Sequence, residues 1–322
     1  MTMDAKQQIY RKLCETETSI PIFSQAWWLD ATAGEQAWSA ALVERGGRVV
    51  AAMPYARRHL HGFVLCMQPR LTQKLGPWFA PMEGKAATML GQQKELMDEL
   101  IDQLPRFDHF QQDWHYTNTN WLPFFWRGYK QTTRYTYVLP DLRCQTGLWD
   151  GMQSNIRKEI RKASERFKLR VRDDLGIEAF LPLNRQVFDR QGRKFPYSED
   201  YAKQIDAACQ ARGARRILIA EDDEGRHHAG IYMVWDECSA YYLMGGGDPK
   251  LRNSGATSLC MWEAIKFASS VTKTFDFEGS MLEPVERFFR AFGAEQKPYF
   301  TVYKTPSMVL AALLYVRSMA KR

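Results

Sequence analysis

Two carboxylates in the segment FDFEGS (residues 275–280) could accept a proton from a substrate amine. Asp276 and Glu278 alternate along a run typical of a β-strand, which predicts that both side chains lie on one face near the strand end. A carboxylate acts as a general base at neutral pH when burial raises its pKa. The alternative interpretation is that one of the two caps a helix that begins near Pro284. No Ser-His-Asp or Cys-His arrangement suggests itself in the sequence.

The segment SNIRKEIRKASERFKLRVR (residues 154–172) carries eight Lys or Arg against two Glu, in a chain whose formal net charge is +7. Its cations lie on a predicted amphipathic helix, followed by a strand in KLRVRDD. A solvated helix face and a site for an anionic partner are both compatible with this pattern, and the shortage of balancing Glu favours the partner. The periodicity predicts that the buried face is formed by Ile156, Ile160, Ala163 and Phe167.

A polar strand face is predicted in the first half of the chain, where polar residues alternate with Phe110 and Trp114 in HFQQDWH. Two histidines at this spacing could bind a metal ion, but no third or fourth ligand is apparent, so no metal is expected. The six cysteines lack CxxC spacing and indicate reduced thiols in a cytosolic protein. The polar face is formed by His109, Gln111, Asp113 and His115.

Length and hydropathy exclude several classes of protein. A chain of 322 residues has room for about two domains. It contains no run of about 18 apolar residues that could span a bilayer, and its start has no apolar run typical of a signal peptide. These features predict a cytoplasmic globular protein.

The same order of elements occurs twice along the chain. In each half, two strand-like runs flank a Gly-containing turn and are followed by a helix, a strand, a short aromatic helix and a closing strand. The hairpins are residues 38–57 and 215–236, and the closing strands are RYTYVL (134–139) and YFTVYK (299–304). This order predicts two copies of one mixed α/β unit.

The last segment, TPSMVLAALLYVRSMAKR (305–322), predicts a short apolar helix started by Pro306. It is too short to cross a membrane. The favoured interpretation is a helix that docks back on a hydrophobic surface. The alternative is an anchor on a membrane surface, with Arg317, Lys321 and Arg322 beside the lipid.

Four motifs in this order resemble the Fem-type peptidyltransferases of the GNAT (Gcn-related N-acetyltransferase) superfamily. They are NIRKEIRKA with KLRVRDD, GDPKLRNSGATSLCMWEAIKFA (247–268), FDFEGS, and ERFFRAFGAE (286–295). TRYTYVLPDL (133–142) resembles the strand that closes the family's first domain. The resemblance implies two GNAT-like domains in tandem, as the repeat does. Their predicted limits are 1–147 with the helix 306–322 for the acceptor domain, and 148–305 for the donor domain.

The resemblance implies a donor site in the second domain. Arg252-x-x-Gly255-x-Thr257 approximates the turn by which GNAT proteins hold the pyrophosphate of coenzyme A, since N–H groups at a helix start suit an anion. An ordinary turn capped by Ser254 is the alternative. Gly246 lies in YYLMGGGD, at a strand end that splays in GNAT proteins to admit the acyl carrier. The donor phosphates are expected to meet Arg157, Arg161, Arg252 and Arg290.

The resemblance also implies catalytic and acceptor-binding residues. Arg290 occupies a basic position of the family, where a cation could stabilise the oxyanion formed on attack or hold a phosphate. Asp276 matches the family, whereas Glu278 replaces a glycine. Asp113 falls near an Asp-Pro of the family, and Trp78 lies in a Gly-Pro-rich loop that lines the acceptor groove. Catalysis is assigned to Arg290, Asp276, Glu278 and Asp113, and acceptor binding to Trp78, His109, His115 and Tyr242.

The implied reaction is direct attack of an amine on an activated acyl group. Acyl-coenzyme A would explain the Gly-containing turn, and aminoacyl-tRNA would explain the cationic helix. The acceptor would be an amine-bearing molecule, such as a cell-envelope precursor. The alternative is a non-catalytic protein of the same fold that binds RNA or another anionic partner.

Overall fold

The structure, a computed structural model, describes residues 4–279 and 281–319. Ser280, at the end of the predicted strand FDFEGS, lies outside the described residues. Lys321 and Arg322, which the sequence assigns to the terminal helix, lie outside them as well.

Helices and strands follow one another along the chain as a mixed α/β fold, which confirms the predicted fold class. The helices are α1 (Ala5–Thr16), α2 (Ala26–Ala33), α3 (Ala86–Asp102), α4 (Leu122–Trp126), α5 (Gln145–Gly151), α6 (Ser154–Arg161), α7 (Ile177–Arg190), α8 (Glu199–Ala211), α9 (Ala256–Val271), α10 (Glu283–Arg290) and α11 (Met308–Met319). The strands are β1 (Trp38–Arg45), β2 (Arg48–Leu60), β3 (Phe63–Met67), β4 (Trp78–Phe79), β5 (His109–Asp113), β6 (Lys130–Leu139), β7 (Arg170–Arg172), β8 (Arg215–Glu221), β9 (His227–Trp235), β10 (Ser239–Gly247), β11 (Thr274–Asp276) and β12 (Glu295–Lys304).

The chain divides into two compact units. The first comprises Met1–Arg134 with Pro298–Arg322, and the second comprises Tyr135–Lys297. These limits differ from the predicted domains at two segments. Residues 135–147 belong to the second unit rather than to the first, and residues 298–305 belong to the first rather than to the second.

The sheet of the first unit has the strand order β1-β2-β3-β5-β12. Neighbouring strands are antiparallel except for β3 and β5, which are parallel. The short strand β4 pairs with β2 outside this order. Helix α3 covers one face, because its Met97 and Leu100 lie in the same buried cluster as Phe110 of β5.

The sheet of the second unit has the strand order β6-β11-β10-β9-β8-β7. Neighbouring strands are antiparallel except for β10 and β11, which are parallel. Helix α9 packs on this sheet through small and medium side chains, since Cys260, Ala264 and Ile265 are fully buried in one cluster with Ile231 of β9.

Both units contain the same series of pairings, in the order antiparallel, antiparallel, parallel, antiparallel. An internal duplication predicts this agreement. The closing strands are nevertheless exchanged. Thr301 of β12 pairs with Asp113 in the first unit, and Leu139 of β6 pairs with Phe275 in the second. The expectation that TRYTYVLPDL closes the first half is therefore corrected: residues of this motif lie beside β11, because a strand pattern does not encode which sheet edge the strand joins.

Helix α11 differs from the favoured interpretation of its sequence. Instead of docking on a hydrophobic surface, it leaves a row of apolar side chains between 56% and 86% exposed. Apolar composition predicts a helix but does not specify what covers it. No helix among residues 4–279 and 281–319 has both the length and the apolar character needed to cross a bilayer.

Candidate functional site

The predicted cationic helix is present as α6, and its buried face is confirmed in part. Ile156, Ile160 and Ala163 are buried at 4%, 4% and 0% exposure, as their spacing predicts. Phe167 is 38% exposed and departs from the prediction. The chain winds into a π-helical turn, Lys162–Arg166, after α6. The wider turn rotates the following residue away from the buried face.

Four cations of the segment 154–172 have partners within the second unit. Arg170 forms an ion pair with Asp223, and Arg172 forms ion pairs with Asp174 and Glu221. Arg157 donates from one Nη to the carbonyl oxygens of Trp149 and Asp150, at 3.4 and 3.0 Å, and so satisfies acceptors at the C-terminal end of α5. Lys162 forms an ion pair with Glu159 at 2.5 Å. Arg157 and Lys162 therefore stabilise helix ends, in addition to any contact that they make with a ligand.

Other cations of the segment are exposed and form no ion pair with a described residue. The guanidinium of Arg161 lies 5.6 Å from the ring centroid of Trp149, and that of Arg166 lies 5.8 Å from the ring of Phe167. These contacts leave the positive charge uncompensated by a carboxylate. The exposed cations are Lys158, Arg161, Arg166 and Lys168.

The turn before α9 packs against α6. Gly255 is the N-cap of α9 and has a left-handed φ of 80°. A Cβ atom at Gly255 would overlap the carbonyl oxygen of Glu159 and would lie 3.1 Å from its Oε2 atom. The glycine is therefore required by the approach of α6, and a carboxylate lies beside the start of α9. The interpretation that Ser254 caps α9 is wrong, because its buried hydroxyl makes no hydrogen bond there.

The remaining predicted residues of this turn are at the surface. Arg252 and Thr257 are both exposed, and Arg252 forms no hydrogen bond or ion pair with the residues that the structure describes. A phosphate could reach Arg252 from solvent. The assignment of Arg252, Gly255 and Thr257 to donor binding remains a prediction.

The glycines of β10 allow close packing of α7. A Cβ atom at Gly246 would overlap the backbone of Leu183 and Asn184 in α7. The side-chain amide of Asn184 also donates to the carbonyl oxygen of Gly245 at 2.7 Å. The packing of α7 alone therefore accounts for a glycine at position 246. The role of Gly246 beside an acyl carrier remains a prediction.

Tyr242 lies at an irregularity in the pairing of β10 with β9. Its hydroxyl covers Gly245, where a Cβ atom would overlap the phenol oxygen. The ring meets that of Phe289 edge-on, with centroids 5.7 Å apart. Burial raises the pKa of Tyr242 to about 12. Tyr242 is therefore a neutral hydrogen-bonding group at physiological pH.

The two predicted carboxylates do not share a strand face. Strand β11 ends at Asp276, and Glu278 has a left-handed φ of 58°. The prediction that they alternate on one strand is therefore wrong, because the strand turns between them. Asp276 is fully buried, and its Oδ1 accepts hydrogen bonds from the Thr136 hydroxyl and from the N–H of Glu278, the latter at 2.7 Å. Asp276 fixes the turn that carries the partly exposed Glu278.

Arg290 belongs to a polar network at the end of α10. Its Nε donates to Glu286 Oε1 at 2.8 Å, and the hydroxyl of Tyr137 donates to the same oxygen at 2.7 Å. The side chain of Gln296 donates to Tyr137 at 2.6 Å. These bonds from Arg290 and Tyr137 lower the pKa of Glu286. The network anchors one side of the Arg290 guanidinium, whose Nη groups make no hydrogen bond with a described residue.

The end of α10 packs on the link that leads into α6. The N–H of Gln153 donates to the carbonyl oxygen of Ala291 at 2.9 Å, and a Cβ atom at Gly293 would lie 2.7 Å from the carbonyl oxygen of Gly151. The second unit therefore brings α6, the start of α9 and the end of α10 into one region, although their motifs are far apart in sequence.

In the first unit, Asp113 and His109 are tied to β12 and the residue after it. Asp113 Oδ1 accepts a hydrogen bond from the Thr301 hydroxyl at 2.6 Å, and its N–H donates to the side chain of Gln68 at 2.6 Å. His109 is buried and its Nδ1 lies 2.8 Å from the hydroxyl of Thr305. Burial lowers the pKa of His109. Both residues have structural partners, and their catalytic and acceptor-binding roles remain predictions.

His115 and Trp78 line a cavity of about 210 Å³ in the first unit. Trp78 donates from Nε1 to the hydroxyl of Ser19 at 2.9 Å, and His115 Nδ1 lies 2.7 Å from the hydroxyl of Thr117. Burial, and next the positive charge of Lys74, lower the pKa of His115 to about 4. The structure thus brings two predicted acceptor residues together beside a neutral imidazole.

Lys74 is a candidate functional residue that sequence reasoning missed. Its side chain is only 2% exposed, and its ammonium group lies 4.2 Å from the ring centroid of Tyr299. Buried lysines are rare and are commonly functional. The sequence offers no signal for it, since a lysine in LTQKLGPW is typical of an exposed loop.

The two histidines of the predicted pair have hydroxyl partners. His109 and His115 bond to the hydroxyls of Thr305 and Thr117. Among the described residues, no group of three or more His, Cys, Asp or Glu side chains is arranged to hold a metal ion.

Comparison with known proteins finds a family model that matches most of the second unit. A family model described as an acetyltransferase (GNAT) domain matches residues 151–290. This range contains α6, the Gly255 turn, Asp276 and Arg290. No curated protein matches the sequence.

Several solved structures share the fold across most of the chain. FemX is 14% identical with a TM-score of 0.66, and the match covers 93% of this chain and 97% of FemX. L-PGS from Bacillus licheniformis is 13% identical with a TM-score of 0.53, covering 98% of this chain and 96% of that one. A tandem GNAT protein from the clavulanic acid biosynthesis pathway is 13% identical with a TM-score of 0.53, covering 92% and 93%. The family model thus matches residues 151–290 of a chain whose overall fold is similar to that of FemX and of the tandem GNAT protein.

Proposed function

We propose that this protein is an aminoacyltransferase that moves an aminoacyl group from tRNA to an amine. The observation that carries the proposal is the set of exposed cations on α6 and its π-helical turn, which lack carboxylate partners among the described residues. Phosphate contacts of Lys and Arg dominate the affinity of proteins for nucleic acids. The GNAT family of the second unit and the resemblance to Fem-type peptidyltransferases support acyl transfer.

The environment of Gly255 favours tRNA over acyl-coenzyme A as the donor. In the predicted coenzyme A turn, the pyrophosphate would need the space and the positive potential at the start of α9. The backbone and the carboxylate of Glu159 already lie against Gly255. Because this carboxylate is already paired with Lys162, it is the close approach of α6 that disfavours a pyrophosphate at Gly255. The cations Lys158 and Arg161 lie on the same helix as Glu159 and offer phosphates an open surface instead.

The proposed chemistry uses a carboxylate and a cation of the second unit. Asp276 is fully buried and positions the turn, so we assign proton acceptance to the partly exposed Glu278. The acceptor nitrogen forms a bond to the ester carbonyl carbon and its proton passes to Glu278. The ester C–O bond then breaks, and Glu278 returns the proton to the leaving oxygen, which regenerates the tRNA hydroxyl. Arg290, anchored by Glu286, would stabilise the negative charge on the carbonyl oxygen.

The donor proposal is tested by the salt dependence of tRNA binding. We expect the double variant Lys158→Gln/Arg161→Gln to weaken binding of aminoacyl-tRNA about tenfold or more and to lower the slope of log affinity against log salt by about 1 to 2, because two phosphate contacts are lost. Filter binding over a salt series measures both quantities.

The matched control removes two exposed cations elsewhere in the second unit. Arg190→Gln/Lys273→Gln carries the same change of charge at exposed residues that form no ion pair with a described residue, and we expect it to retain the affinity of the unaltered protein. Equal weakening by both pairs would show a general charge effect. Thermal stabilisation by acetyl-coenzyme A without any stabilisation by aminoacyl-tRNA would contradict the proposed donor.

A non-catalytic binding protein is the second candidate. It is favoured by one observation: the glycines at 246 and 255 are explained by helix packing alone. This candidate predicts salt-sensitive tRNA binding with no transfer of a labelled aminoacyl group to any amine, whereas the enzyme proposal predicts release of deacylated tRNA.

A further inference from the structure

Helix α11 carries an outward face made only of apolar residues. At about 100° per residue, Met308, Val309, Tyr315, Val316 and Met319 fall within about 120° of the helix circumference, and Leu313 adjoins them. Their exposed fractions are 86%, 65%, 66%, 65%, 61% and 56% in that order. Leu310, on the opposite side, is half-buried. A surface helix of a soluble protein normally turns its apolar face toward the core and its polar face toward solvent.

The length of α11 limits what can cover this face. Its 12 residues extend about 18 Å, whereas the hydrocarbon core of a bilayer is about 30 Å thick. The described residues 308–319 are too few to cross a membrane, but they have the length and the exposed area of a helix that lies in the plane of a membrane surface.

The charge composition of the terminal segment points to an anionic occupant. Residues 305–322 contain Arg317, Lys321 and Arg322 and no Asp or Glu. Tyr315 adds an aromatic ring with a polar end, which suits the boundary between headgroups and acyl chains.

The β2–β3 hairpin adds a second cationic element at the base of α11. Its exposed tip, RRHLHG (57–62), contains Arg57 and Arg58, which form no ion pair with a described residue, and Leu60, which is 39% exposed. Val64 of this hairpin lines the same surface depression as Pro306 and Ser307. The apolar helix and the basic hairpin are therefore neighbours within the first unit.

We propose that α11 and the tip of the β2–β3 hairpin together form a docking surface for an anionic membrane. The apolar face enters the boundary layer of the bilayer, and Arg57, Arg58 and Arg317 contact acidic headgroups. This arrangement combines two weak signals, apolar burial and positive charge, which stable peripheral binding requires. It is independent of the proposed transfer reaction.

The test is sedimentation of the full chain with vesicles. We expect binding to vesicles of phosphatidylcholine mixed with phosphatidylglycerol, and at least about tenfold weaker binding to phosphatidylcholine alone or at high salt. Val309→Asp/Val316→Asp places two charges on the apolar face and should reduce binding about tenfold or more. Arg57→Gln/Arg58→Gln should reduce binding only to the acidic vesicles.

The control is Leu90→Asp/Leu122→Asp, which adds the same charges at apolar residues of the first unit that are 45% and 42% exposed. It should bind as the unaltered protein does. Circular dichroism and thermal unfolding establish that each variant is folded. The proposal is overturned if the unaltered protein stays in the supernatant, or if α11 variants bind vesicles normally. Light scattering that shows a dimer dissociated by Val309→Asp/Val316→Asp would overturn it too, by assigning the face to a second copy of the chain.

Discussion

Glu278 is the residue on which the proposed proton transfer depends. We expect Glu278→Gln to lower kcat about 10²- to 10⁴-fold, because the amide keeps the size of the side chain but cannot accept the proton. Affinity for aminoacyl-tRNA should stay unchanged. Single-turnover transfer with a labelled aminoacyl group gives the rate. The control is Glu237→Gln, the same change at an exposed residue, and it should leave kcat unchanged. Full activity in Glu278→Gln would rule out the role of Glu278 as proton acceptor.

His115 makes a prediction about stability and pH. Its pKa is about 4 in the folded protein and about 6.5 in the unfolded chain, so the unfolded chain binds the additional proton between these values. The contribution of His115 to stability is therefore complete above about pH 6.5 and is lost as the pH falls toward about 4. Urea unfolding at several pH values should show a loss on the order of 3 kcal/mol over this window. His115→Asn should flatten the curve; an unchanged slope would contradict the assignment.

The burial of single residues could be predicted where the spacing of apolar residues along a helix determines it. The spacing of Ile156, Ile160 and Ala163 sets a helix face, and all three are buried. Lys74 could not be found in this way, because its burial depends on contacts that are distant in sequence. Glu278 was misplaced for a related reason, since the hydrogen bond from its N–H to Asp276 ends the strand early.

Among the elements, the contact between α6 and α9 depends on one glycine. Gly255→Ala should destabilise the protein by about 2 kcal/mol or more, because the Cβ atom would overlap the carbonyl oxygen of Glu159 and the φ of 80° is strained for alanine. Chemical unfolding measures the loss.

Gly225 provides the matched comparison for this prediction. Its φ is 77°, close to that of Gly255, but a Cβ atom added there would have no neighbouring atom within 4 Å. Gly225→Ala should therefore cost only about 1 kcal/mol, the strain of the left-handed backbone. Equal losses at both positions would mean that α6 can move away from α9 without penalty.

Element type followed from periodicity, whereas the surroundings of an element did not. The apolar spacing of residues 308–319 specifies a helix equally well in a protein core or at a surface. The π-helical turn at Lys162–Arg166 likewise has no signature in the pattern, and it moved Phe167 out of the predicted face.

At the scale of the whole molecule, the exchange of closing strands predicts how the chain can be divided. The fragment 1–147 lacks β12, which pairs with β5, and the fragment 148–305 lacks β6, which pairs with β11. Neither fragment should unfold cooperatively alone, because each has an incomplete sheet. Calorimetry of the separate fragments tests this, and a sharp transition in the fragment 1–147 would contradict it.

The repeated order of elements was visible in the sequence, and so was the mixed α/β class. The limits of the two units were not, since RYTYVL and YFTVYK have interchangeable strand patterns and occupy equivalent positions in the repeat. Only the pairing of each with its sheet distinguishes them.

The position of β12 has a consequence for the newborn chain. On a ribosome that adds about 5 to 20 residues each second, β5 emerges roughly 10 to 40 seconds before its neighbour β12 is complete. During this interval the N–H and C=O groups along one edge of β5 have no strand to bond. A cell that makes this protein would need to shield that edge, for example with a ribosome-associated chaperone.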